Sequence, residues 1–510
     1  MSSETEVDMK DVELNEVDQE RQPMNASNGD AGSPQTEKNG IVKVKIPEEK
    51  EAKFTGLSKQ ELLQVAGTPG WVKTRWVLLI LFWLGWFGML AGAIVIIVQA
   101  PRCKPLPEMN WWNFGALYQV GDVNAFAEAP GLKGLSSKMS DLGKMNVKGL
   151  ILGPIHVSTA DKPEDLNLTE ISPEVGNLTH LESVVMEAHK KSISVVLDLS
   201  PNYKGSKPWF DTGDMTNVAE KVKAATDYWL NKGIDGILLH DVEQLTTKVP
   251  LIWSSIRDSV KNNTNEEEKK RALIVVTQAT SPEKVATLLN TTGVDLLLSG
   301  ILRQNSSINT IQAVDHLYSQ KGHQLAWNIG DRINGHLATL MGYAHVKWNQ
   351  LLLLTLPGVP VFNYGDEIGL EDESSKFPLM VWDTDEKAKQ ANESEKDEIK
   401  NRDSLRSFFK LVSGLRGKER SLLHGDYVPL FNSSTAFAYL RVWDQSERYL
   451  VALNSSPELV ELKLIHSELP ETATVVVSTD ESLATDTSVD LATLKLKPNQ
   501  AVMLQFPYVG

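Results

Sequence analysis

A single cysteine, Cys103, occurs among the 510 residues of this chain. That scarcity excludes an internal disulfide framework, because one thiol cannot close a bridge within its own chain. If the segment carrying it faces an oxidising compartment, the pairing left open is with another protein. Residues 1–50 lack aromatic side chains altogether and carry twelve acidic against six basic residues. Such a stretch buries too little apolar surface to offset its ordering entropy, so a disordered tail is expected there and not a domain. A docking or phosphorylation segment and a plain solubilising leader are both open readings of it. The first ten residues, MSSETEVDMK, also lack the apolar core and cleavage site of a signal peptide. With a formal net charge of −15, no nucleic-acid partner is expected.

What the chain does have is one long hydrophobic run. Residues 76–98 read WVLLILFWLGWFGMLAGAIVIIV, 23 residues without a charge. As a helix this covers roughly 34 Å, enough for a hydrocarbon core of about 30 Å. The run therefore predicts a single transmembrane signal anchor following a cytosolic segment, 1–75, with membrane lipid as its surroundings. Lys53, Lys59, Lys73 and Arg75 before it, against Arg102 and Lys104 after it, lean towards a cytosolic N-terminus. Acceptor motifs for N-glycosylation point the same way, with one before the run, at Asn25, and eight after it, at Asn167, Asn177, Asn262, Asn290, Asn305, Asn392, Asn432 and Asn454. Together these predict a single-pass type II protein of the plasma membrane with an extracellular C-terminal region. Gly85, Gly88 and Gly92 share one helix face and would let a second helix approach closely, although glycine is common in membrane helices for other reasons. Ahead of the run, Ser58 and Glu61 form a Ser-x-x-Glu capping box that predicts a short helix stopped by Pro69-Gly70, in a position to lie on the inner leaflet.

Beyond a neck over 99–110 that contains Cys103, short apolar runs alternate with helical patterns. Candidate strands fall at 116–120, 149–152, 194–199, 236–240, 273–276, 294–298, 324–328 and 359–363, with helix-length segments such as 181–190, 218–229 and 282–289 between them. Eight strands in that order predict an α/β architecture, a parallel (β/α)8 barrel over 111–420. From 421 to 510 the pattern changes to short alternating runs, among them AFAYLRVW, RYLVALN, TATVVVST and AVMLQF, which predict an antiparallel β-sandwich. The charged stretch 383–403 reads as an exposed loop and helix start.

The segments WWNFGALYQVGDVNAF, ISPEVGNLTHLESVVMEAHKKSISVVLDLSPNY and above all LPGVPVFNYGDEIGL, in that order, resemble the α-amylase family of glycoside hydrolases. That resemblance implies a barrel with reacting carboxyl groups at the strand ends. Retaining glycosidases need two of them about 5–5.5 Å apart, one a nucleophile and one an acid/base. In the family the fourth strand reads Gly-Phe-Arg-x-Asp, whereas this chain has Leu238 for the arginine and His240 for the nucleophile. Asp241 is one residue out of phase and, on a regular strand, points away from the axis. On the fifth strand the acid/base glutamate corresponds to Gln278, whose amide has no titratable proton near neutral pH. Where the family has Asn-His-Asp on the seventh strand, this chain has Asn328-Ile329-Gly330-Asp331, with the aspartate displaced or the motif gone. Asp198, Asn202, Asp366 and Glu367 match framework positions, with Tyr203 replacing the family's histidine, and are expected to serve loop geometry. The short segment 203–218 leaves no room for the inserted domain and calcium site of many active members, so neither metal nor cofactor is expected.

A single span, a juxtamembrane cysteine and an amylase-like region without its catalytic carboxylates together resemble the heavy-chain subunits of the heteromeric amino-acid transporters, of the 4F2 antigen type. The resemblance implies a non-catalytic partner of a multi-span light chain, bonded to it through Cys103 and needed for its stability and trafficking to the surface. Two other readings stand beside it. One is a Cys103-linked homodimer acting as an adhesion or signalling receptor, with integrin or cytosolic partners for the tail. The other is a membrane-anchored glycosidase with unusual catalytic residues.

Overall fold

A computed structural model describes residues 58–100, 103–210, 215–263, 269–303, 307–321, 324–383 and 391–508. The chain divides into two compact units, 1–100 and 101–510. Asn25 and Asn305 lie outside the described residues.

In the first unit, helix α1 (Lys59–Ala66) begins on the expected capping box, with Ser58 N donating to Glu61 Oε2 at 2.8 Å and the Ser58 hydroxyl accepting from Glu61 N. It ends on Gly67, two residues earlier than the Pro69-Gly70 stop. Pro69 instead opens helix α2 (Pro69–Gln99), in the first helical turn, where its missing N–H costs nothing. At 31 residues α2 is long and apolar enough to cross a membrane. It also runs past the uncharged stretch at both ends, because Lys73 and Arg75 fit a helix turn as readily as apolar residues do. None of its residues is buried, and a Cβ added at Gly85, Gly88 or Gly92 would meet nothing within 4 Å.

The second unit begins with a barrel. Its strands are β1 (Ala116–Val120), β2 (Val147–Leu152), β5 (Ser194–Asp198), β6 (Gly236–His240), β7 (Ala272–Val276), β8 (Leu296–Leu298), β9 (Leu325–Trp327) and β10 (Val359–Asn363). They pair in that order, all parallel, and β10 closes on β1. Inward side chains such as Leu117, Ile151, Val196, Leu238, Ile274 and Val361 fill the axis above Trp112, while their outward neighbours join the core beneath the surrounding helices. Burial on both faces is why these strands read as continuous apolar runs. Between β2 and β5 the structure adds a hairpin, β3 (His156–Thr159) and β4 (Lys162–Ile171). Leu166 and Leu168 of β4 are buried between exposed neighbours, and Trp229 Nε1 donates to Leu168 O at 2.8 Å.

Helix Glu393–Lys418 then leads to a six-stranded antiparallel sheet. Its spatial order is Asp426–Asn432, Ala436–Val442, Arg448–Asn454, Ala501–Phe506, Thr472–Ser478, Ser488–Asp490. Successive side chains face opposite ways. Ala438, Leu440 and Leu450 pack against the small sheet of Val460–Leu462 and Leu494–Leu496, whereas Phe437, Tyr439, Val451 and Met503 join the barrel's own core. Two buried guanidinium groups stitch that junction. Arg416 donates to Leu354 O at 2.7 Å, to Leu356 O at 3.0 Å and to Gly358 O, and Arg441 donates to Thr355 O at 2.6 Å and Gly425 O at 2.9 Å. In the charged stretch 383–403, Asp383 is not merely a surface charge: Arg402 grips it with two hydrogen bonds of 3.0 and 2.9 Å.

Candidate functional site

Parallel strands place their C-terminal ends at one mouth, and the residues singled out from the sequence gather there. Leu238 of β6 pairs with Asp198 of β5 and points into the apolar axis. His240, two residues on, returns to that inward face and is buried, with Nε2 3.5 Å from Asp198 Oδ2, a contact that lacks hydrogen-bond geometry. The arginine absent at Leu238 is supplied from elsewhere: Arg332, in the loop after β9, donates from Nε to Asp198 Oδ2 at 3.3 Å, and its backbone N–H donates to Gln119 Oε1 at 3.3 Å. Asp198 Oδ1 accepts from the amide and hydroxyl of Ser200 at 2.9 and 2.5 Å. Burial pushes this carboxyl up, but Arg332, His240 and Ser200 together hold it well below the usual carboxylate range. Nothing in the sequence around Arg332 announces this role, because the contact spans separate strands and exists only once the barrel closes.

The other matched positions are absorbed into loop architecture. Asn202 holds the hairpin turn, accepting from Asp161 N at 2.9 Å and donating to Asp161 Oδ1 at 2.8 Å. Tyr203 donates to His156 O at 3.1 Å. Asp331 caps its own turn, accepting from Ile333 N at 2.8 Å and Asn334 N at 2.7 Å, and pairs with Arg303 at 3.2 Å. Asp366 accepts from Leu337 N and Asn363 N, both at 2.9 Å, and Glu367 accepts from the Tyr118 hydroxyl at 3.1 Å. Gln278 is exposed and accepts from Arg303 Nη2 at 3.1 Å. Asp241 is not governed by strand alternation: β6 ends at His240, and Asp241 turns into the left-handed region at φ 54° to start the next helix. Burial raises its carboxyl pKa. The mouth thus holds an imidazole and an amide where the amylase resemblance puts two reacting carboxyl groups, and the buried carboxylate beside them is neutralised by a guanidinium.

His156, at the start of β3, was not singled out from the sequence. It is buried with both ring nitrogens lacking a hydrogen-bond partner, its ring centre 5.0 Å from that of Tyr203 with the two planes nearly perpendicular. Burial lowers its pKa to about 4, against the pull of Asp198 and with the push of Arg332 and Lys204. The unfolded chain therefore takes up this proton first, so stability from the neutral ring is present above pH 6.5 and is lost as pH falls towards 4. We expect the native chain to lose about 2–3 kcal/mol on this account between pH 7 and 4.5, and His156→Phe to lack that increment, as read from thermal unfolding of both at the two pH values.

Of the glycosylation candidates, Asn167, Asn177, Asn262, Asn290, Asn392 and Asn432 are exposed. Asn454 is not a usable acceptor in the folded chain. It is fully buried, and Nδ2, the atom a glycan would occupy, donates to Glu458 O at 2.9 Å, Lys497 O at 2.9 Å and Leu496 O at 3.3 Å. Cys103 is a free, exposed thiol. Its neighbour Lys104 is anchored on the C-terminal sheet, with Nζ 3.0 Å from Asp426 Oδ2 and 4.7 Å from the Trp443 ring centre, and its amide 3.2 Å from Asp444 Oδ2.

Comparison with known proteins agrees with this anatomy. Residues 42–118 match the model of the solute carrier family 3 member 2 N-terminus, and residues 124–260 match the α-amylase catalytic domain. Among solved structures, isomaltulose synthase from Erwinia rhapontici (TM-score 0.61, 14% identity, 79% of this chain and 100% of that one) and an Anoxybacillus α-amylase (0.60, 17%, 79% and 100%) share the fold. The amino acid transporter heavy chain SLC3A1 of Mus musculus is 22% identical over 93% of this chain and 90% of its own length. The amino acid transporter heavy chains SLC3A2 of Oryctolagus cuniculus and Mus musculus are each 44% identical over 100% of both chains. On that full-length similarity, the chain belongs to the SLC3A2 amino acid transporter heavy chain family.

Proposed function

We propose that this chain is a non-catalytic heavy-chain subunit of a heteromeric amino-acid transporter. It would cross the plasma membrane once through α2 with its N-terminus in the cytosol, bond a multi-span light chain through Cys103, and support that partner's stability and passage to the surface. The full-length likeness to proteins named amino acid transporter heavy chains carries this reading. The barrel mouth supports it, since a retaining glycosidase requires two carboxyl groups and His240 and Gln278 offer none. One helix without a charged residue in its central span has no means of binding an amino acid in the bilayer, so translocation falls to the light chain. The domain limits proposed are the tail at 1–75, the span at 76–98, the neck at 99–110, the barrel at 111–420 and the sheet domain at 421–510.

The test is isolation of the intact protein from membranes in mild detergent, run with and without reductant, beside Cys103→Ser. We expect a higher-mass band that reductant resolves into this chain and a multi-span protein. Cys103→Ser should lose that band while still co-isolating the partner, because a disulfide raises effective concentration without being the only contact. A high-mass band containing this chain alone would replace the proposal with the homodimeric reading.

A further inference from the structure

We propose that the barrel carries a binding site at the end opposite its mouth, a cleft suited to a small organic anion with a flat aromatic body. Asp198 and His240 close one end of the parallel strands, whereas Lys148 near the start of β2, Ser194 at the start of β5 and Lys269 just before β7 open the other. The open cleft between them has a volume of about 740 Å³, within the range of sites that hold small molecules.

Asp235, fully buried behind the cleft wall, accepts from His189 Nε2 at 2.6 Å, Val195 N at 2.8 Å, Lys269 Nζ at 3.0 Å and Arg271 Nη1 at 3.3 Å. One carboxylate thus orients two permanent cations and an imidazole. Lys148 adds a further ammonium, half-buried and without a carboxylate partner among the described residues. In a chain of net charge −15 the cleft carries a local positive excess. The carbonyl end of helix Glu393–Lys418, which reaches the cleft at Gly417, offsets about half a unit of that charge at most.

The apolar half of the site is built by two missing side chains. A Cβ on Gly149 would stand 2.7 Å from the indole Cζ3 of Trp111, and one on Gly115 would stand 2.7 Å from Cγ of Lys148. Both glycines let the indole and the lysine stem lie against the barrel floor and face the cleft, with Phe114, 44% exposed, at its edge. Lys269 lies 5.7 Å from the Trp111 ring centre, so a cation and an aromatic face are presented together. A planar ring can stack on the indole while its carboxylate or sulfonate accepts from the two ammonium groups, a charge-assisted pairing that an uncharged analogue cannot make.

The full chain in non-ionic detergent, titrated calorimetrically with 2-naphthalenesulfonate against a blank of empty micelles, tests this. Saturable binding is expected, and Lys148→Met should weaken it about tenfold, the loss of one charge-assisted hydrogen bond. 2-Naphthalenemethanol, with the ring but no charge, and methanesulfonate, with the charge but no ring, should each bind far more weakly. Gly149→Ala should weaken binding by pushing the indole, but it also crowds Leu117 in the barrel axis, so Lys148→Met, which keeps an unbranched stem of similar length, decides. No saturable binding, equal binding of the neutral alcohol, or unchanged affinity in Lys148→Met would each overturn the proposal. None of these outcomes bears on the light-chain reading.

Discussion

Arg332→Met is expected to destabilise the folded chain by about 3 kcal/mol, because it strips a buried carboxylate of its principal counter-charge. Asp198 is fully buried, and the three groups holding it ionised are Arg332, His240 and Ser200. Of these only Arg332 carries a permanent charge, and methionine fills its space without replacing it. Asp198 would then protonate more readily. The pH dependence distinguishes this from simple loss of packing. A carboxyl depressed in the folded state contributes stability that is present above its ordinary pKa and lost on acidification below it. The native chain should lose that contribution in acid, whereas Arg332→Met, having little to lose, should show a flatter acid limb. Asp198→Asn combined with Arg332→Met should recover most of the stability, since removing both partners leaves no orphaned charge. An additive double variant in thermal unfolding would show that the two side chains are not coupled.

Arg416→Ala should cost more, about 4–5 kcal/mol, and is expected to abolish accumulation of folded protein at physiological temperature. It removes a fully buried side chain and leaves three carbonyl oxygens, at Leu354, Leu356 and Gly358, without their donor. One effect works the other way. Burial, and after it the nearby Arg441 guanidinium, disfavour the Arg416 charge and lower its pKa to about 9, so removing one of two like charges relieves some repulsion. The orphaned carbonyls outweigh that relief because each costs about 1–3 kcal/mol when buried dry. Arg416→Lys, which keeps the charge but forfeits the planar fork, should fall between native and alanine in chemical unfolding. A near-neutral Arg416→Ala would mean that water satisfies the junction.

The barrel was legible because its strands are buried on both faces: Ala116–Val120, Gly236–His240 and Val359–Asn363 are buried throughout and keep the bounds read from their largely apolar runs. The hairpin of His156–Ile171 was not, because only Leu166 and Leu168 alternate inward, the buried Ile171 falls out of that phase, and the other residues of KPEDLNLTEI are polar enough to pass for a loop. That His240 and Gln278 stand where the amylase resemblance puts carboxyl groups could be read residue by residue, since it depends only on side-chain identity at single positions. The compensation by Arg332 could not, since it links the loop after β9 to the end of β5. Asn454 failed for a similar reason. Its Asn-x-Ser motif is local, whereas its burial follows from backbone carbonyls at Glu458, Leu496 and Lys497, two of them more than forty residues away in the chain.

The order of strands in the C-terminal sheet governs when the molecule can be finished. Ala501–Phe506, the last of its strands in the sequence, does not lie at an edge; it is inserted between Arg448–Asn454 and Thr472–Ser478. Until it arrives, those two strands have no common neighbour, and the face bearing Phe437 and Tyr439 has no completed sheet to hold it against the barrel. Synthesis therefore delivers the keystone after everything it locks. A chain cut short before residue 501 would present open strand edges and an unsealed junction, the features by which unfinished proteins aggregate or are retained, rather than a slightly smaller version of the same domain.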